Sequence, residues 1–288
     1  MSDCRPFAAT VRRRISACVL LLGPAAASAQ KPDTTQAAAP IQDNSFLVEE
    51  AYNQGSGVVQ HISTYARVVG SNRWSYAFTQ EWPLGGVRHQ LSFTLPFAGV
   101  DDILGGGAGV GDVAVNYRYQ LIGDAETTVA FAPRITTLLS SGSAARGLGA
   151  GGQGLQVNLP LSIVLPGSLV VHSNAGATYT RRAHDSMGQE AAVTGYNLGQ
   201  GVIWLLHPRL NFMLEAAWTQ TEEVVGPCQT ERRTALLFSP GLRGAINFAS
   251  GLQIVPGIAF PFGVGPSKGE RNVFMYLSFE HPFARPAP

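Results

Sequence analysis

The chain has 288 residues, of which 14% are charged and 45% hydrophobic, and its formal net charge is +1. Soluble domains usually carry roughly a quarter charged residues, so this composition argues against an ordinary soluble domain, and the near-neutral charge argues against a nucleic-acid-binding surface. Beyond the first 29 residues the sequence has no apolar run of the roughly 18 residues that a membrane-spanning helix requires. A membrane β-barrel remains.

The amino terminus has the features of a secretory signal peptide. Arg5 and residues 12–14 are basic, residues 15–22 are apolar, and residues 27–29 (Ala-Ser-Ala) fit a small-residue cleavage site. We therefore predict that residues 1–29 are removed on export. Their loss takes away four arginines and one aspartate, which changes the net charge from +1 to −2.

Residues 30–57 are predicted to form a periplasmic leader. Residues 31–44 are polar and rich in alanine and proline, without periodicity. Residues 45–54 (SFLVEEAYNQ) differ, because Ser45 precedes a mixed run that contains Glu49 and Glu50. This pattern favours one or two helical turns, which would form a small plug in the barrel mouth. The alternative is a loosely docked terminus.

Residues 58–283 contain about twelve segments in which apolar and polar residues alternate. In residues 89–97, for example, Leu91, Phe93 and Leu95 alternate with Ser92 and Thr94. This period of two is typical of β-strands, and segments of about ten residues suit tilted spans of a bilayer. The segments are residues 58–67, 73–83, 89–97, 111–121, 126–139, 154–165, 168–180, 190–205, 209–220, 232–247, 251–262 and 271–283.

The connections between these segments alternate in length. Those at residues 84–88, 122–125, 166–167, 206–208 and 248–250 are short, whereas those at 98–110, 140–153, 181–189, 221–231 and 263–270 are long. Short periplasmic turns and longer outer loops are typical of outer-membrane barrels. We therefore predict an all-β fold, an antiparallel transmembrane β-barrel of about 12 strands in the outer membrane of a Gram-negative bacterium, with both termini in the periplasm.

The last segment, residues 271–283, resembles the closing strand of outer-membrane barrels. Phe279 and Phe283 lie close to the chain end, and only the short tail 284–288 follows. In those proteins an aromatic-ended final strand is read by the barrel-assembly machinery. The resemblance implies that machinery as a partner during biogenesis, and outer-membrane lipids as the partner of the folded barrel.

The uniformly apolar face of each strand is predicted to meet lipid, and the mixed face to line the lumen. The candidate lumen residues are Asp112, Asn116, Arg118, Arg134, Gln156, Asn158, His172, Asn174, Asn211, Glu215, Arg233 and Arg243. These groups either line a narrow polar passage or pair into a closed network. About eight strands enclose only side chains and about sixteen leave a channel, so twelve strands leave both readings open.

Enzymatic function is not predicted, and no catalytic residue is assigned. His172, Ser173 and Asn174 are similar to the motif of the outer-membrane phospholipases. However, strand alternation places His172 and Ser173 on opposite faces, so they cannot share a proton. The other histidines of the mature chain form no ligand cluster, and neither a metal nor a cofactor is predicted.

The chain resembles a family of outer-membrane barrels described as transporters of the MetA pathway of phenol degradation. Residues 43–65 (DNSFLVEEAYNQGSGVVQHISTY), the strand at 74–82 and the glycine-rich segment 104–112 carry the resemblance. Many members have Glu-Pro where this chain has Gly55 and Ser56. The resemblance implies passive uptake of small solutes, among them aromatic or other hydrophobic compounds. The alternatives are a closed barrel that acts through its outer loops and, less favoured, a membrane lipid hydrolase.

Overall fold

The computed structural model describes residues 41, 45–100 and 107–283. The predicted signal peptide, most of the leader before residue 45, part of the glycine-rich segment and the tail 284–288 lie outside these residues. No helix in the described ranges is long and apolar enough to cross a membrane. Two short 3-10 helices, Ala144–Arg146 and Gly265–Ser267, lie in connections between strands.

The described residues form seventeen β-strands in one antiparallel sheet. The strands are β1 (Val58–Val68), β2 (Trp74–Pro83), β3 (His89–Val100), β4 (Gly107–Val110), β5 (Val113–Tyr119), β6 (Val129–Phe131), β7 (Arg134–Leu139), β8 (Gly154–Asn158), β9 (Leu161–Leu165), β10 (Leu169–His184), β11 (Glu190–His207), β12 (Leu210–Gly226), β13 (Gln229–Gly244), β14 (Ile246–Asn247), β15 (Gln253–Ala259), β16 (Phe262–Gly263) and β17 (Asn272–Pro282).

The sheet closes on itself because the first strand pairs with the last. The register of β1 and β17 runs from Val58 opposite Pro282 to Val68 opposite Asn272. Five spans of the barrel are each interrupted by a short break and therefore consist of two consecutive strands. These pairs are β4 and β5, β6 and β7, β8 and β9, β13 and β14, and β15 and β16. The barrel therefore has twelve antiparallel spans, and the predicted fold class is confirmed.

We call the end of the barrel that holds residue 58 the inner end, and the opposite end the outer end. The strands β10 to β13 are 16 to 18 residues long, more than the roughly 9–11 residues that span a bilayer. Residues 221–231, expected to be a long loop, instead extend β12 and β13 towards a tight turn. Cross-strand pairs such as Glu222 opposite Arg232, 3.6 Å apart, stabilise this extension.

The two faces of the barrel wall have opposite chemistry. Large apolar side chains such as Leu155 (51% exposed) and Leu198 (54%) point outward, whereas polar side chains such as Gln60, Ser162 and Asn211 are fully buried inside. This inversion follows from the alternation along each strand, and it suits a barrel whose solvent is lipid.

An aromatic side chain fills part of the barrel interior. Phe46 packs against Phe274 and Tyr276, with ring centroids 5.3 and 5.5 Å apart. The wall approaches Phe46 at Gly241 and Gly257, where an added Cβ would lie 2.8 and 2.5 Å from the Phe46 ring. These two glycines therefore leave the space that the ring occupies.

Candidate functional site

Residues 45–54, which we call the plug, lie inside the barrel. Their backbone is irregular with several bends, so the helical turns expected here are wrong. A helix satisfies its N–H groups with its own carbonyls, but here side chains of the wall accept those protons. The closed wall supplies enough acceptors to replace the internal hydrogen bonds that a helix would make.

One carboxylate holds the first part of the plug. Glu215 on β12 is 1% exposed. Its Oε1 accepts hydrogen bonds from the backbone N–H groups of Phe46, Leu47 and Val48, each at 3.0 Å. Three successive N–H groups directed at one carboxyl oxygen have the geometry of an anion-binding nest.

Amide and hydroxyl groups of the wall hold the middle of the plug. The Oδ1 of Asn174 accepts from the N–H of Glu49 at 2.7 Å, and its Nδ2 donates to the Glu49 carbonyl at 2.6 Å. The Ser162 hydroxyl accepts from the N–H of Ala51 at 2.8 Å, while Gln120 donates to the Ala51 carbonyl at 2.8 Å. The wall thus provides hydrogen-bond partners for both the N–H groups and the carbonyl groups of Glu49 and Ala51.

The carboxylate of Glu49 joins the plug to two arginines and one asparagine on three adjacent strands. Glu49 Oε1 lies 3.2 Å from Arg118 Nη1, and Oε2 accepts a hydrogen bond from Asn158 Nδ2 at 2.6 Å. Arg134 Nε lies 3.0 Å from Oε2 as an ion pair, although its N–H is not aligned for a hydrogen bond. Two cations and one amide therefore surround a single carboxylate.

Arg118 is the central cation of this network and is 3% exposed. Its guanidinium lies 3.8 Å from carboxylate oxygens of both Glu50 and Glu81. It also donates to Asn53 Oδ1 at 3.0 Å and to the Tyr52 carbonyl at 2.7 Å. A buried arginine needs such partners, because an unpaired charge in the lumen wall is strongly unfavourable.

A cavity of about 570 Å³ lies between the plug and the outer parts of the wall. Plug residues 45–50 form one side of it. Threonines from five strands contribute to the rest of the lining, and they are Thr79, Thr94, Thr178, Thr180, Thr194, Thr219 and Thr221. The hydroxyl groups give the cavity a polar wall that offers both donors and acceptors to a solute.

Most of the predicted lumen residues lie on the inner wall. Those buried or half-buried there are Asn116, Arg118, Arg134, Gln156, Asn158, His172, Asn174, Asn211, Glu215 and Arg243. Asn211 and Arg243 both donate to the carbonyl of Ile41, Arg243 at 3.1 Å. These residues therefore serve mainly to bind the amino-terminal chain or one another.

Two predicted lumen residues lie elsewhere. Arg233 is 58% exposed near the outer end of β13, where it pairs with Glu223 at 3.2 Å. Asp112 accepts from the N–H groups of Gly142 at 2.9 Å and Ala150 at 2.6 Å, and so fixes an outer connection. Alternation identifies the inward face of a strand but not the depth of a residue along the barrel.

Sequence reasoning missed several functional groups of the lumen, among them Ser162, Gln90, Glu49, Glu81 and Gln120. Glu49 belongs to the plug, and nothing in the sequence indicates which wall residues it meets. Glu81 and Gln120 lie on the inward faces of their segments, so the same alternation that selected Arg118 identifies them as candidates.

A serine–histidine pair is also present in the wall. Ser162 on β9 lies directly opposite His172 on β10, and the Ser162 hydroxyl is 2.6 Å from His172 Nδ1. Both side chains are fully buried, and the Tyr52 ring packs edge-on against the His172 ring. The Ser162 oxygen already binds the plug backbone, so this pair supports the plug in the described state and is closed to a substrate.

Comparisons with known proteins identify the fold. No protein-family model and no curated protein matches the sequence. Among solved structures, the chain is similar to the COG4313 outer membrane channel from Pseudomonas putida F1, with 16% identity and a TM-score of 0.56 over 83% of this chain and 98% of that one. The chain has the fold of an outer-membrane β-barrel channel. The NanC porin is similar at 12% identity, with a TM-score of 0.51 over 77% of this chain and 98% of that one.

In a barrel of this fold the apolar outward face meets lipid. Here the plug crosses the lumen beneath the cavity.

Proposed function

We propose that this protein is a channel of the bacterial outer membrane for the passive uptake of small solutes, and that the plug is its gate. The observation that supports this most directly is the cavity of about 570 Å³, lined by both polar and apolar side chains, that ends at the plug. A cavity of this size accommodates a small molecule. The proposed partners are outer-membrane lipids on the outward face and the barrel-assembly machinery during folding.

The chemistry of the cavity favours solutes that carry polar groups. Its wall offers hydroxyl groups, the amides of Asn116 and Gln156, and charged side chains, while Ile62 and Val193 contribute apolar surface. Aromatic compounds with a hydroxyl or carboxyl group match this mixture. The resemblance to the transporters of phenol degradation supports such aromatic solutes as part of the proposed range.

A closed barrel that acts through its outer loops is the second candidate. The observation that favours it is the dense bonding of the plug, in which Glu215 alone accepts three backbone hydrogen bonds. A permanently plugged barrel would leave function to the extended β10 to β13 hairpins.

Solute uptake by liposomes that contain the folded, full-length exported protein distinguishes these functions. We expect faster uptake of small sugars, organic anions and phenolic compounds than in protein-free liposomes, with a preference by size or charge. The Glu223→Ala variant, altered at an exposed outer position, is the matched control and should equal the wild type. Folded protein that admits none of these solutes would overturn the channel proposal and favour the closed barrel.

A further inference from the structure

The wall residues that bind Glu49 form a continuous row across three strands. Arg118 on β5 lies directly opposite Arg134 on β7, and Arg134 lies directly opposite Asn158 on β8. All three point into the lumen and line the cavity. Like charges directly opposite each other on neighbouring strands destabilise a sheet unless an anion lies between them. The wall places one carboxylate, Glu81, 3.8 Å from Arg118, so the two arginines of the row outnumber the carboxylate that the wall supplies.

Part of this site is held in place without the plug. Arg134 Nη1 donates to Asn116 Oδ1 at 2.8 Å and to Thr136 Oγ1 at 3.1 Å, and Nη2 donates to Gln156 Oε1 at 3.3 Å. All these partners belong to the wall strands β5, β7 and β8. When the plug moves, the Arg134 guanidinium consequently keeps its orientation, which is the preorganisation that favours ligand binding.

The anion that occupies the site is the carboxylate of Glu49, which belongs to the plug. In the proposed channel the plug is the part that moves. Glu49 and Glu50 both belong to the plug, and among the described residues only Glu81 of the wall lies within 4.0 Å of either arginine. Departure of the plug therefore leaves two arginines facing one carboxylate. A second carboxylate restores the charge balance that Glu49 provided.

We propose that this row is a binding site for the carboxylate of a small organic acid, and that Glu49 occupies it as an internal substitute for that solute. The inference rests on the proposed channel function, whose solute it narrows to organic carboxylates. A solute that enters the cavity meets the row from the lumen side, where Glu49 and Arg134 are each 21% exposed. Exchange of one carboxylate for another leaves the net charge of the site unchanged and releases one of the contacts that hold the plug.

Binding of sodium benzoate to the folded full-length protein in detergent, measured by titration calorimetry, tests the proposal. The Glu49→Ala variant removes the internal carboxylate but keeps the backbone bonds to Asn174. It should bind benzoate about tenfold more tightly than the wild type, because a charged hydrogen-bonded contact becomes available. The Glu49→Ala/Arg134→Gln double variant should lose this gain.

Two controls isolate the carboxylate and the position. Benzyl alcohol has the same ring without the charge and should bind all variants equally. Glu223→Ala, on the exposed outer hairpin, should bind benzoate as the wild type does. If Glu49→Ala does not fold, Glu49→Gln removes the charge with little change in shape and should show a gain in the same direction.

Equal benzoate affinity in the wild type and the Glu49 variants would overturn the carboxylate site, as would a gain that survives loss of Arg134. Conductance of the same preparations in potassium chloride separates this inference from the channel proposal. Conductance without a gain in binding overturns the site and retains the channel. A gain in binding by folded protein that neither conducts nor admits solute retains the site and overturns the channel.

Discussion

Replacing Glu215 with alanine removes the acceptor that holds the first part of the plug. The N–H groups of Phe46, Leu47 and Val48 then lose their shared partner. In the proposed open state the plug has left the lumen, so these hydrogen bonds are absent. We therefore expect Glu215→Ala to shift the protein from the plugged to the open state.

The size of the shift follows from the hydrogen bonds that are lost. A hydrogen bond to a charged group contributes about 1.5–3 kcal/mol to stability. The three bonds end on one oxygen and are not additive, so we assign about 3 kcal/mol to the set. Since about 1.4 kcal/mol corresponds to a factor of ten, the ratio of plugged to open protein should fall about 100-fold.

Single-channel recording in planar bilayers measures this ratio as the fraction of time that the channel is open. The control is Glu223→Ala, a glutamate of the same strand that is 57% exposed and far along β12 from the plug contacts. Heat-dependent migration in detergent gels establishes that each variant is folded. A folded Glu215→Ala protein with the open fraction of the wild type would refute the assignment of Glu215 as the anchor of the plug.

Three further predictions concern the plug, the outer face and the charged row. Gly257→Val should raise the open fraction as Glu215→Ala does, because its side chain would enter the space of the Phe46 ring; unchanged conductance would contradict this. Leu159 is 42% exposed and is assigned to the outward face. Leu159→Arg should reduce folding yield in lipid vesicles, because a charge at the bilayer midplane costs about 2–4 kcal/mol. A normal yield would contradict the outward assignment. Replacing both Arg118 and Arg134 by serine should shift the reversal potential towards cation selectivity, because the carboxylates of the lumen lose their positively charged partners. An unchanged reversal potential would show that neither arginine lies on the ion pathway.

The barrel itself could be predicted from local sequence. In residues 89–97 the alternation of apolar and polar side chains predicts a strand with one lipid face, and β3 is that strand. The short connection at residues 166–167 predicts a tight inner turn, which joins β9 to β10. Such features depend on neighbours in the chain, so a sequence pattern contains them.

The hairpin of β12 and β13 shows where local patterns mislead. Residues 221–231 are polar and were expected to form a loop, but Glu222 and Arg232 pair across two extended strands. Polarity marks exposure to water, and above the membrane a strand can be as exposed as a loop. The same limit applies to Arg233, which is 58% exposed where it pairs with Glu223.

The sequence alone predicted the antiparallel barrel and the division of its faces, because both depend on composition and on a period of two residues. The export signal is likewise a prediction from the sequence. Tertiary structure alone decided that residues 45–54 lie inside the barrel and bind its wall. Phe46 and Glu215 are 169 residues apart in the chain, and Glu49 meets Arg118, Arg134 and Asn158 from three different strands. These groups converge only when the sheet closes, and a closed wall offers the plug more hydrogen-bond partners than the helix that its local sequence favours.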